Sequence, residues 1–326
     1  MKPNVVVIGA SAGGFNALKH LFTNLPGNIE ASFFVVLHLS PDSPSHLATL
    51  LNNVSPLTIK NPEDGEKIQK RFVYVAPPDY HLLVKEGYIR LYHGPHENRH
   101  RPAVDPLFRS AAVAYDRQVL GIILSGLLDD GSSGLLAVKH CGGITMVQDP
   151  EDARYADMPR HAIAAVKEVD YQLPLSQMAD AIAQILQKPN TKTGTVPDDI
   201  KTEAAIAERV MSDVSGTETL GSLIPMGCPE CGGPLWQINI DAVRRYRCHV
   251  GHGFTAQTLL NSQDEALEKA LWAAMRMMEE RSRLAFTMAE DESQKGRDKS
   301  AAIYYERAKE SKAHAQVLKK LLADAS

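Results

Sequence analysis

Polar side chains that could carry out acyl transfer follow three apolar, strand-like segments of this chain. Ser11 follows the run VVVIGA in the glycine-rich stretch GASAGG, and His38 ends the run SFFVVLH. Asp129 and Asp130 lie in the stretch SGLLDDG, which follows the run VLGIIL. The carboxyl ends of parallel strands line the ligand crevice of a doubly wound sheet, so we expect these side chains to lie close together. A serine, a histidine and an aspartate arranged in this way supply a nucleophile, its base and the group that orients the base.

The turn around Ser11 has a second interpretation, as a phosphate-binding turn between a strand and a helix. A dinucleotide-binding fingerprint needs a second glycine where this chain has Ser11, and an acidic residue at the end of the second strand, where it has His38. The G-x-x-x-x-G-K-[ST] pattern of a P-loop does not occur in the sequence. GASAG does fit the G-x-S-x-G pattern of a nucleophile, a weak signal by itself. We therefore favour a nucleophilic serine, although the order Ser, His, Asp differs from that of the α/β-hydrolases.

Five sequence blocks, taken in order, resemble chemotaxis protein-glutamate methylesterases of the CheB type. The blocks are IGASAGG (8–14), VLH (36–38), RPAVDPLFRSAA (101–112), SGLLDDG (125–131), and QDP with the downstream pairs MP and AI (148–163). The resemblance covers residues 3–187 and implies that Ser11 is the nucleophile, His38 the general base and Asp130 the orienting carboxylate. It also implies an enzyme that hydrolyses glutamyl γ-methyl esters of methylated chemoreceptor-like proteins, with deamidation of glutamines as a further activity.

Departures from the family pattern fall beside these residues. Ala12 stands where the family usually has threonine, and Leu127 and Leu128 replace a methionine and a glycine. The pocket is therefore expected to differ more than the chemistry. The first strand starts near Asn4, so the phosphorylatable receiver domain of full-length family members is not expected before it. Another part of the chain or a partner would then regulate the enzyme.

A second group of residues is typical of a structural zinc site. Three of the four cysteines lie within residues 228–252, where CPECGG precedes a short predicted hairpin and then RYRCHVGH. Two such knuckles close a tetrahedral Cys3His site. We predict Cys228, Cys231, Cys248 and His252 as zinc ligands, with His249 as the alternative fourth ligand. A thioredoxin-like redox pair is less favoured, because no βαβ unit surrounds the first two cysteines.

Other polar residues of the first half have mainly structural interpretations. His93, His96 and His100 share a loop with two arginines. That loop could hold a metal or form a basic rim that engages an acidic receptor surface. Asp105 precedes a proline, a pair that predicts a helix N-cap. Arg109, one turn later, is expected either to reach a carboxylate or to lie at the surface.

These patterns together predict an α/β fold: a doubly wound, mainly parallel sheet in three layers, followed by a small zinc-ribbon and a helical hairpin. The predicted boundaries are 1–187 for the catalytic α/β domain, 188–222 for a linker with a short helix near 202–210, 223–256 for the ribbon and 257–326 for the hairpin. Apolar residues at helical spacing predict helices near 257–289 and 300–323, the first capped by Thr255. The hairpin is expected to pack on itself or on the ribbon, or to contact a methyltransferase or another signalling partner.

Composition limits the class of protein further. A net charge of −4 and a pI near 6.3 argue against nucleic acid as the main partner, although the RRYR patch at 244–247 leaves that option open. No apolar run is long enough to span a bilayer, no membrane insertion is expected, and no signal peptide is recognisable. Few cysteines, mostly in metal spacing, suit the reducing cytoplasm. We therefore expect a cytoplasmic serine esterase, with a non-catalytic signalling adaptor or a hydrolase of another ester as alternatives.

Overall fold

The computed structural model describes residues 2, 4–38, 46–192, 194–208, 218, 220–238 and 243–324 of the 326-residue chain. The chain divides into two compact units, Met1–Leu259 and Leu260–Ser326. The described part of the first unit contains a seven-stranded sheet, a two-stranded hairpin and a four-stranded sheet. The second unit contains most of one long helix and all of another.

The large sheet is built from short apolar strands that all run parallel. Both β1 (Val5–Ala10) and β2 (Ser32–Leu37) are buried along their whole length, as expected for parallel strands covered on both faces. The other strands are β3 (Thr58–Lys60), β4 (Phe72–Val75), β7 (Val119–Ile123), β8 (Ile144–Gln148) and β9 (Tyr171–Leu173). Their order is β3-β4-β2-β1-β7-β8-β9, so β1 lies between β2 and β7. The predicted doubly wound parallel sheet is confirmed.

Helices cover both faces of this sheet. Alternate residues of β1 point to opposite sides, with Val6 and Ile8 in one apolar core and Val5 and Val7 in the other. The helices of the first core are α1 (Gly14–Asn24), α2 (Leu47–Asn52) and α6 (Leu175–Gln187), and those of the second are α3 (Val104–Tyr115), α4 (Ser132–His140) and α5 (Asp157–Val166). The hairpin of β5 (His81–Lys85) and β6 (Tyr88–Tyr92) lies on the second core. These layers form the predicted three-layer architecture.

The small sheet, which we call the ribbon sheet, is antiparallel. Its strands are β10 (Gly221–Gly227), β11 (Pro234–Ile238), β12 (Arg245–Cys248) and β13 (Gly253–Thr255), paired in that order. The strands β11 and β12 lie where the hairpin was predicted. The strand β10 begins at Gly221, inside the predicted linker 188–222, because pairing with β11 outweighs its weak strand preference. Residues 212–217 and 239–242 lie outside the described residues.

A helix connects the two sheets in sequence. This helix, α7 (Asp198–Ala207), starts four residues before the short helix predicted near 202–210, and residues 209–210 lie outside the described residues. Ile200 joins the second core, and the side chain of Glu203 is only 2% exposed. This part of the predicted linker is therefore packed.

Two long helices end the chain. The first, α8 (Ala256–Gln294), is capped as predicted: the N–H of Thr258 donates to Oγ1 of Thr255 over 3.1 Å. The second is α9 (Asp298–Asp324). Within the second unit, small residues such as Ala289 and Ala308 are buried, whereas Leu267 and Ile303, two of the apolar residues at helical spacing, are 59% and 56% exposed. None of the described helices combines the length and the apolar character needed to cross a membrane.

Candidate active site

The three residues predicted to carry acyl transfer lie at the ends of three adjacent strands. Ser11 follows β1, His38 follows β2, and Asp130 lies in the loop between β7 and α4. Ser11 Oγ is 3.2 Å from Nδ1 of His38. On the other side of the ring, Nε2 of His38 is 2.8 Å from Oδ2 of Asp130. The structure thus brings the three side chains into one hydrogen-bonded row at the carboxyl edge of the sheet, where α/β proteins bind ligands.

The row is consistent with one protonation pattern. An ionised Asp130 only accepts hydrogen bonds, so the ring proton of His38 lies on Nε2 and Nδ1 accepts from the Ser11 hydroxyl. Burial favours the neutral form of Asp130, but hydrogen bonds from His38 and from the Val104 N–H outweigh it and lower the pKa of this carboxyl. His38 therefore faces a permanent negative charge on the side away from Ser11.

The Asp130 carboxylate is held by donors on both oxygens. Oδ2 accepts the N–H of Val104 at 2.7 Å, in addition to His38. Oδ1 accepts the N–H of Asp105 at 3.2 Å and Nδ2 of Asn98 at 2.9 Å. The two backbone donors belong to the first residues of α3, whose positive end favours a carboxylate. This cage fixes the position of the carboxylate.

Asp105 does not cap its own helix, so that prediction is wrong. The N-cap of α3 is Ala103, which makes no side-chain cap. The buried Asp105 side chain points across to α4, where its Oδ1 accepts the N–H groups of Gly131 and Gly134 at 3.0 and 2.6 Å. Burial and the charge of Asp130 raise the pKa of Asp105 to about 7.

The turn after β1 carries Ser11, the predicted nucleophile. Gly13 adopts a φ of 75°, and its missing side chain leaves room for Oγ of Ser125. The N–H of Ser11 donates to the Ser125 carbonyl at 3.0 Å, and Oγ of Ser125 donates to the Ala12 carbonyl at 2.9 Å. Among the described residues, no acceptor is hydrogen-bonded to the N–H of Ala12 or of Gly13. These two groups can therefore donate to a ligand oxygen beside Ser11.

The loop after β7 forms one wall of the site and carries the leucines that depart from the family pattern. Leu127 is 46% exposed. Leu128 has a φ of 63°, a conformation that glycine adopts readily and leucine does not. Nδ1 of His161 donates to the Leu128 carbonyl at 2.9 Å and supports this conformation.

The three loop histidines separate instead of forming a metal site. His100 stacks on the ring of His38, with centroids 3.7 Å apart and an angle of 13° between the planes. Burial and the proximity of His38 lower the pKa of His100 to about 3, so it is neutral at pH 7. Nε2 of His93 is 2.9 Å from Oδ2 of Asp79, while Nδ1 of His96 is 3.6 Å from Oε2 of Glu230, which lies between β10 and β11. Among the described residues these histidines share no cluster of metal ligands. Sequence reasoning missed the contact of His100 with His38.

A buried group of charges, which we call the ion cluster, lies behind the site. Arg109, whose environment was left open, has a side chain 1% exposed and pairs with Glu97 and Glu203. From β12, Arg245 Nη1 lies 2.5 Å from Glu203 Oε2, and Arg247 Nη2 lies 3.1 Å from Glu97 Oε1. The option of a nucleic-acid patch is wrong for these two arginines, which are 8% and 2% exposed. Their spacing of two, which puts both on one strand face, was the available signal.

The predicted metal ligands also come together. Atoms of Cys228, Cys231, Cys248 and His252 that could bind a metal all lie within 4.8 Å of one another. The Sγ atoms of Cys231 and Cys248 are 3.7 Å apart, and Nδ1 of His252 is 3.4 Å from Cys248 Sγ and 3.8 Å from Cys228 Sγ. A tetrahedral site with Zn–S bonds of about 2.3 Å has S···S edges of about 3.8 Å, so this group fits a zinc ion. His249 is not part of it.

The fold and the site define a class of protein. The chain is a doubly wound α/β protein whose strand ends carry serine, histidine and aspartate in hydrogen-bonded order. Residues 6–182, more than half of the chain, match the CheB methylesterase family model, and this range includes all three residues. The chain therefore belongs to the CheB methylesterase family, a family of carboxylic ester hydrolases.

Several curated relatives are named protein-glutamate methylesterase/protein-glutamine glutaminase. The enzyme from Chromohalobacter salexigens is 37% identical over 182 residues, which cover 55% of this chain and 51% of the relative. The enzyme from Pyrococcus abyssi is 33% identical over 57% of this chain and 53% of its own length. A shorter relative from Leptospira interrogans is 38% identical over 188 residues, 57% of this chain and 97% of that protein. This chain thus spans about half the length of the first two relatives.

A solved structure agrees with the sequence matches. The crystal structure of the Thermotoga maritima CheB methylesterase catalytic domain superposes with a TM-score of 0.54 and 35% identity. The match includes 99% of that catalytic domain and 56% of this chain. The similarity therefore supports the α/β part.

Proposed function

We propose that this chain is a protein-glutamate methylesterase that hydrolyses the γ-methyl esters of glutamates on a methylated chemoreceptor-like protein. The observation that carries the proposal is the hydrogen-bonded row Ser11–His38–Asp130 at the carboxyl edge of the sheet. Membership of the CheB methylesterase family supports the substrate class. The names of the relatives support deamidation of glutamines as a second activity of the same site.

The geometry supports a two-step acyl transfer. Nδ1 of His38 takes the proton of Ser11 as Oγ attacks the ester carbonyl, and Nε2–H keeps its hydrogen bond to Asp130. The proton then passes to the leaving methoxide, so methanol departs and a glutamyl-serine ester remains. Water, deprotonated by His38, attacks that ester and releases the glutamate side chain and the free serine.

Two backbone donors of the β1–α1 turn suit the developing oxyanion. The N–H groups of Ala12 and Gly13 follow Ser11 directly and have no acceptor among the described residues. In acyl transfer, donors at such a position stabilise the negative charge that forms on the carbonyl oxygen. We therefore assign the oxyanion site to these two groups.

The first test measures methanol release from radiolabelled, methylated chemoreceptor fragments. We expect hydrolysis by the wild type and a loss of at least about 10³-fold in Ser11→Ala, because no other group can form the acyl-enzyme. Ser176→Ala, the same change at an exposed serine of α6, should keep full activity. Equal turnover by wild type and Ser11→Ala would sink the proposed mechanism.

Two other results point to the alternative functions. A folded protein that labels at Ser11 with a serine-reactive phosphonate but releases no methanol would be a hydrolase of another ester. A folded protein that neither labels nor releases methanol would be a signalling adaptor.

We also propose a structural zinc ion bound by Cys228, Cys231, Cys248 and His252. The tetrahedral edge lengths of the group support zinc, and thiolates with one imidazole are ligands that zinc prefers. The metal would hold the two knuckles of the ribbon sheet together and take no part in ester hydrolysis. Free thiols at these positions require a reducing compartment, which favours the cytoplasm.

For the organisation of the chain, we propose the boundaries that the sequence predicts. They are esterase 1–187, linker 188–222, ribbon 223–256 and helical hairpin 257–326. Large apolar side chains of the last two helices are exposed, for example Trp272 at 51% and Leu284 at 63%. Such a surface suits contact with a methyltransferase or another signalling partner.

A further inference from the structure

The loop of residues 96–100 lies between the proposed catalytic residues and the ribbon sheet. Asn98, at its centre, is 3% exposed. Its Nδ2 donates to Oδ1 of Asp130 at 2.9 Å and to Oδ2 of Asp105 at 2.8 Å. Its Oδ1 accepts the N–H of Thr255, the last residue of β13, at 3.1 Å. One amide group therefore connects the ribbon sheet to the carboxylate that faces His38.

The contact with Thr255 determines which way this amide points. A backbone N–H can only donate, so the atom of Asn98 that faces Thr255 must be the oxygen. The hydroxyl of Thr258 lies 3.4 Å from the same oxygen and also accepts the Thr255 N–H at 2.8 Å, so the two oxygens share this donor. With the oxygen held there, both amide hydrogens face the carboxylates of Asp105 and Asp130. The reverse orientation would place the amide oxygen against two carboxylates, which repel it.

The backbone of the loop is also held by β13. The N–H of Asn98 donates to the Gly253 carbonyl at 2.8 Å, and the N–H of Gly253 donates to the His96 carbonyl at 3.2 Å. Glu97 and Gly253 form a parallel bridge. The loop is therefore paired with β13 at the edge of the ribbon sheet, and it continues to His100, whose ring stacks on His38.

The ion cluster keeps the ribbon sheet in this place. Arg247 of β12 reaches Glu97 of the loop, and Arg245 of the same strand reaches Glu203 of α7. All of these side chains are at most 9% exposed. Breaking these pairs would leave buried charges without partners, which is strongly unfavourable. The ribbon sheet is thus a permanent support of the loop.

We propose that Asn98 is a positioning residue for Asp130 and that the ribbon sheet, through Thr255 and Thr258, sets the orientation of its amide. The ribbon is then part of the structure that aligns His38 with Ser11, in addition to any role in partner binding. This inference rests on the proposed function for its kinetic consequence only. The hydrogen bond between His38 and Asp130 can be observed without a substrate.

The test compares Asn98→Ala with a matched control in the full chain. The control is Asn190→Ala, which removes another buried amide, one that donates to the carbonyls of Arg117 and Gly142 away from the site. We expect Asn98→Ala to lower kcat roughly 10- to 100-fold with little change in KM, as for loss of a hydrogen bond to a charged group. It should also weaken and shift the low-field proton NMR signal of His38 Nε2–H. Asn190→Ala should leave kcat and this signal unchanged.

A second variant tests the ribbon itself. Thr258→Val removes the hydroxyl that faces Oδ1 of Asn98 and leaves the proposed metal ligands in place. We expect the NMR signal to shift and kcat to change about two- to five-fold, less than in Asn98→Ala, because the hydroxyl reaches the Asn98 amide only through the shared Thr255 N–H and a contact of 3.4 Å. In the double variant with Asn98→Ala, the effect of Thr258→Val on both readouts should disappear, since the amide through which it acts is gone.

Removing the proposed metal gives a third, independent test. His252, a proposed ligand, directly precedes β13, which contacts Asn98. Chelation should shift the His38 signal in the wild type and leave it unchanged in Asn98→Ala, with metal release followed by a colorimetric indicator.

An unshifted His38 signal in Asn98→Ala would overturn the positioning role. A shifted signal in Asn98→Ala, but none after Thr258→Val or chelation, would overturn the role of the ribbon. A shifted signal in a protein that hydrolyses no methyl ester would refute the proposed function and keep the inference.

Discussion

Asp105 and Asp130 form a buried pair of carboxylates in which the charge of Asp130 favours the protonated form of Asp105. Asp130 has donors on both oxygens and stays ionised, whereas burial and the charge of Asp130 raise the pKa of Asp105 to about 7. Asn98 bridges the two and reduces their repulsion. At the residue scale, the site thus combines one permanent negative charge with one that titrates near neutral pH.

The titration of Asp105 predicts a pH-dependent stability difference. A carboxyl whose folded-state pKa is raised binds its proton more tightly in the folded state, so it costs stability as pH rises from about 4 towards 7. Asp105→Asn lacks this cost. The free energy of unfolding of Asp105→Asn minus that of the wild type should therefore increase between pH 4.5 and 8, by at most about 4 kcal/mol. Denaturant titrations at several pH values measure it.

Asp170→Asn is the matched control for that series. Hydrogen bonds from Lys192 and Thr145 outweigh burial and lower the pKa of Asp170. A lowered pKa adds stability that is fully present above about pH 4 and is lost only below it. Its stability difference should stay constant from pH 4.5 to 8. A constant difference for Asp105→Asn as well would contradict the assigned titration.

The strand–turn–helix unit at the start of the chain is the element on which the nucleophile depends. β1 is buried and rigid, and α1 begins directly after Gly13, whose φ of 75° reverses the chain within a few residues. This turn leaves Ser11 half-buried beside His38, and the N–H groups of Ala12 and Gly13 have no acceptor among the described residues. The element therefore couples backbone conformation to catalysis.

A comparison of Gly13→Ala with Gly65→Ala should separate the effect of the turn on stability from its effect on catalysis. Both glycines have similar φ values, 75° and 79°, so each substitution should cost about 1 kcal/mol of stability. An added Cβ at Gly65 meets no atom within 4 Å, whereas at Gly13 it would lie 2.8 Å from Oγ of Ser125. We expect only Gly13→Ala to reduce kcat, by about 10-fold or more, through displaced oxyanion donors. Equal kcat values for both variants would argue against the assigned oxyanion site.

At the scale of the whole molecule, the ribbon sheet and the α/β layers form one compact unit, Met1–Leu259. The ion cluster joins α3, α7 and β12 around two buried glutamates. The proposed zinc site stabilises the end of the ribbon sheet from which β13 leaves. Loss of the metal should therefore affect the stability of the whole unit.

Metal analysis tests this expectation. Protein prepared without added metal should contain one zinc per chain, and chelation should lower Tm, because metal binding contributes to folding free energy. Cys228→Ala should lose the zinc. Cys141→Ala, the same change at a buried cysteine outside the group, should retain it. Absence of zinc together with titratable thiols in the folded protein would refute the assignment.

Local patterns were sufficient for much of the site. Apolar runs followed by Ser11 and His38 predicted parallel strands with polar ends, and parallel pairing alone is enough to put such ends on one edge. The spacing of the cysteines predicted the Cys3His group in the same way, because two knuckles joined by a hairpin meet without long-range information. Asp130 was selected over Asp129 only through the resemblance.

Contacts between segments distant in sequence had to come from the tertiary structure. The side chain of Asp105 bonds across to α4, and Asn98 lies more than 150 residues before Thr255, which orients it. No local periodicity encodes such pairs, since they depend on how packed layers bring polar groups out of water and force each to find a partner. The sequence by itself predicted the parallel sheet, the row of Ser11, His38 and Asp130, and the Cys3His group, because local patterns are enough to bring these residues together. Only the tertiary structure decided that the ribbon sheet holds the loop of Asn98, which contacts Asp130 beside His38 and Ser11.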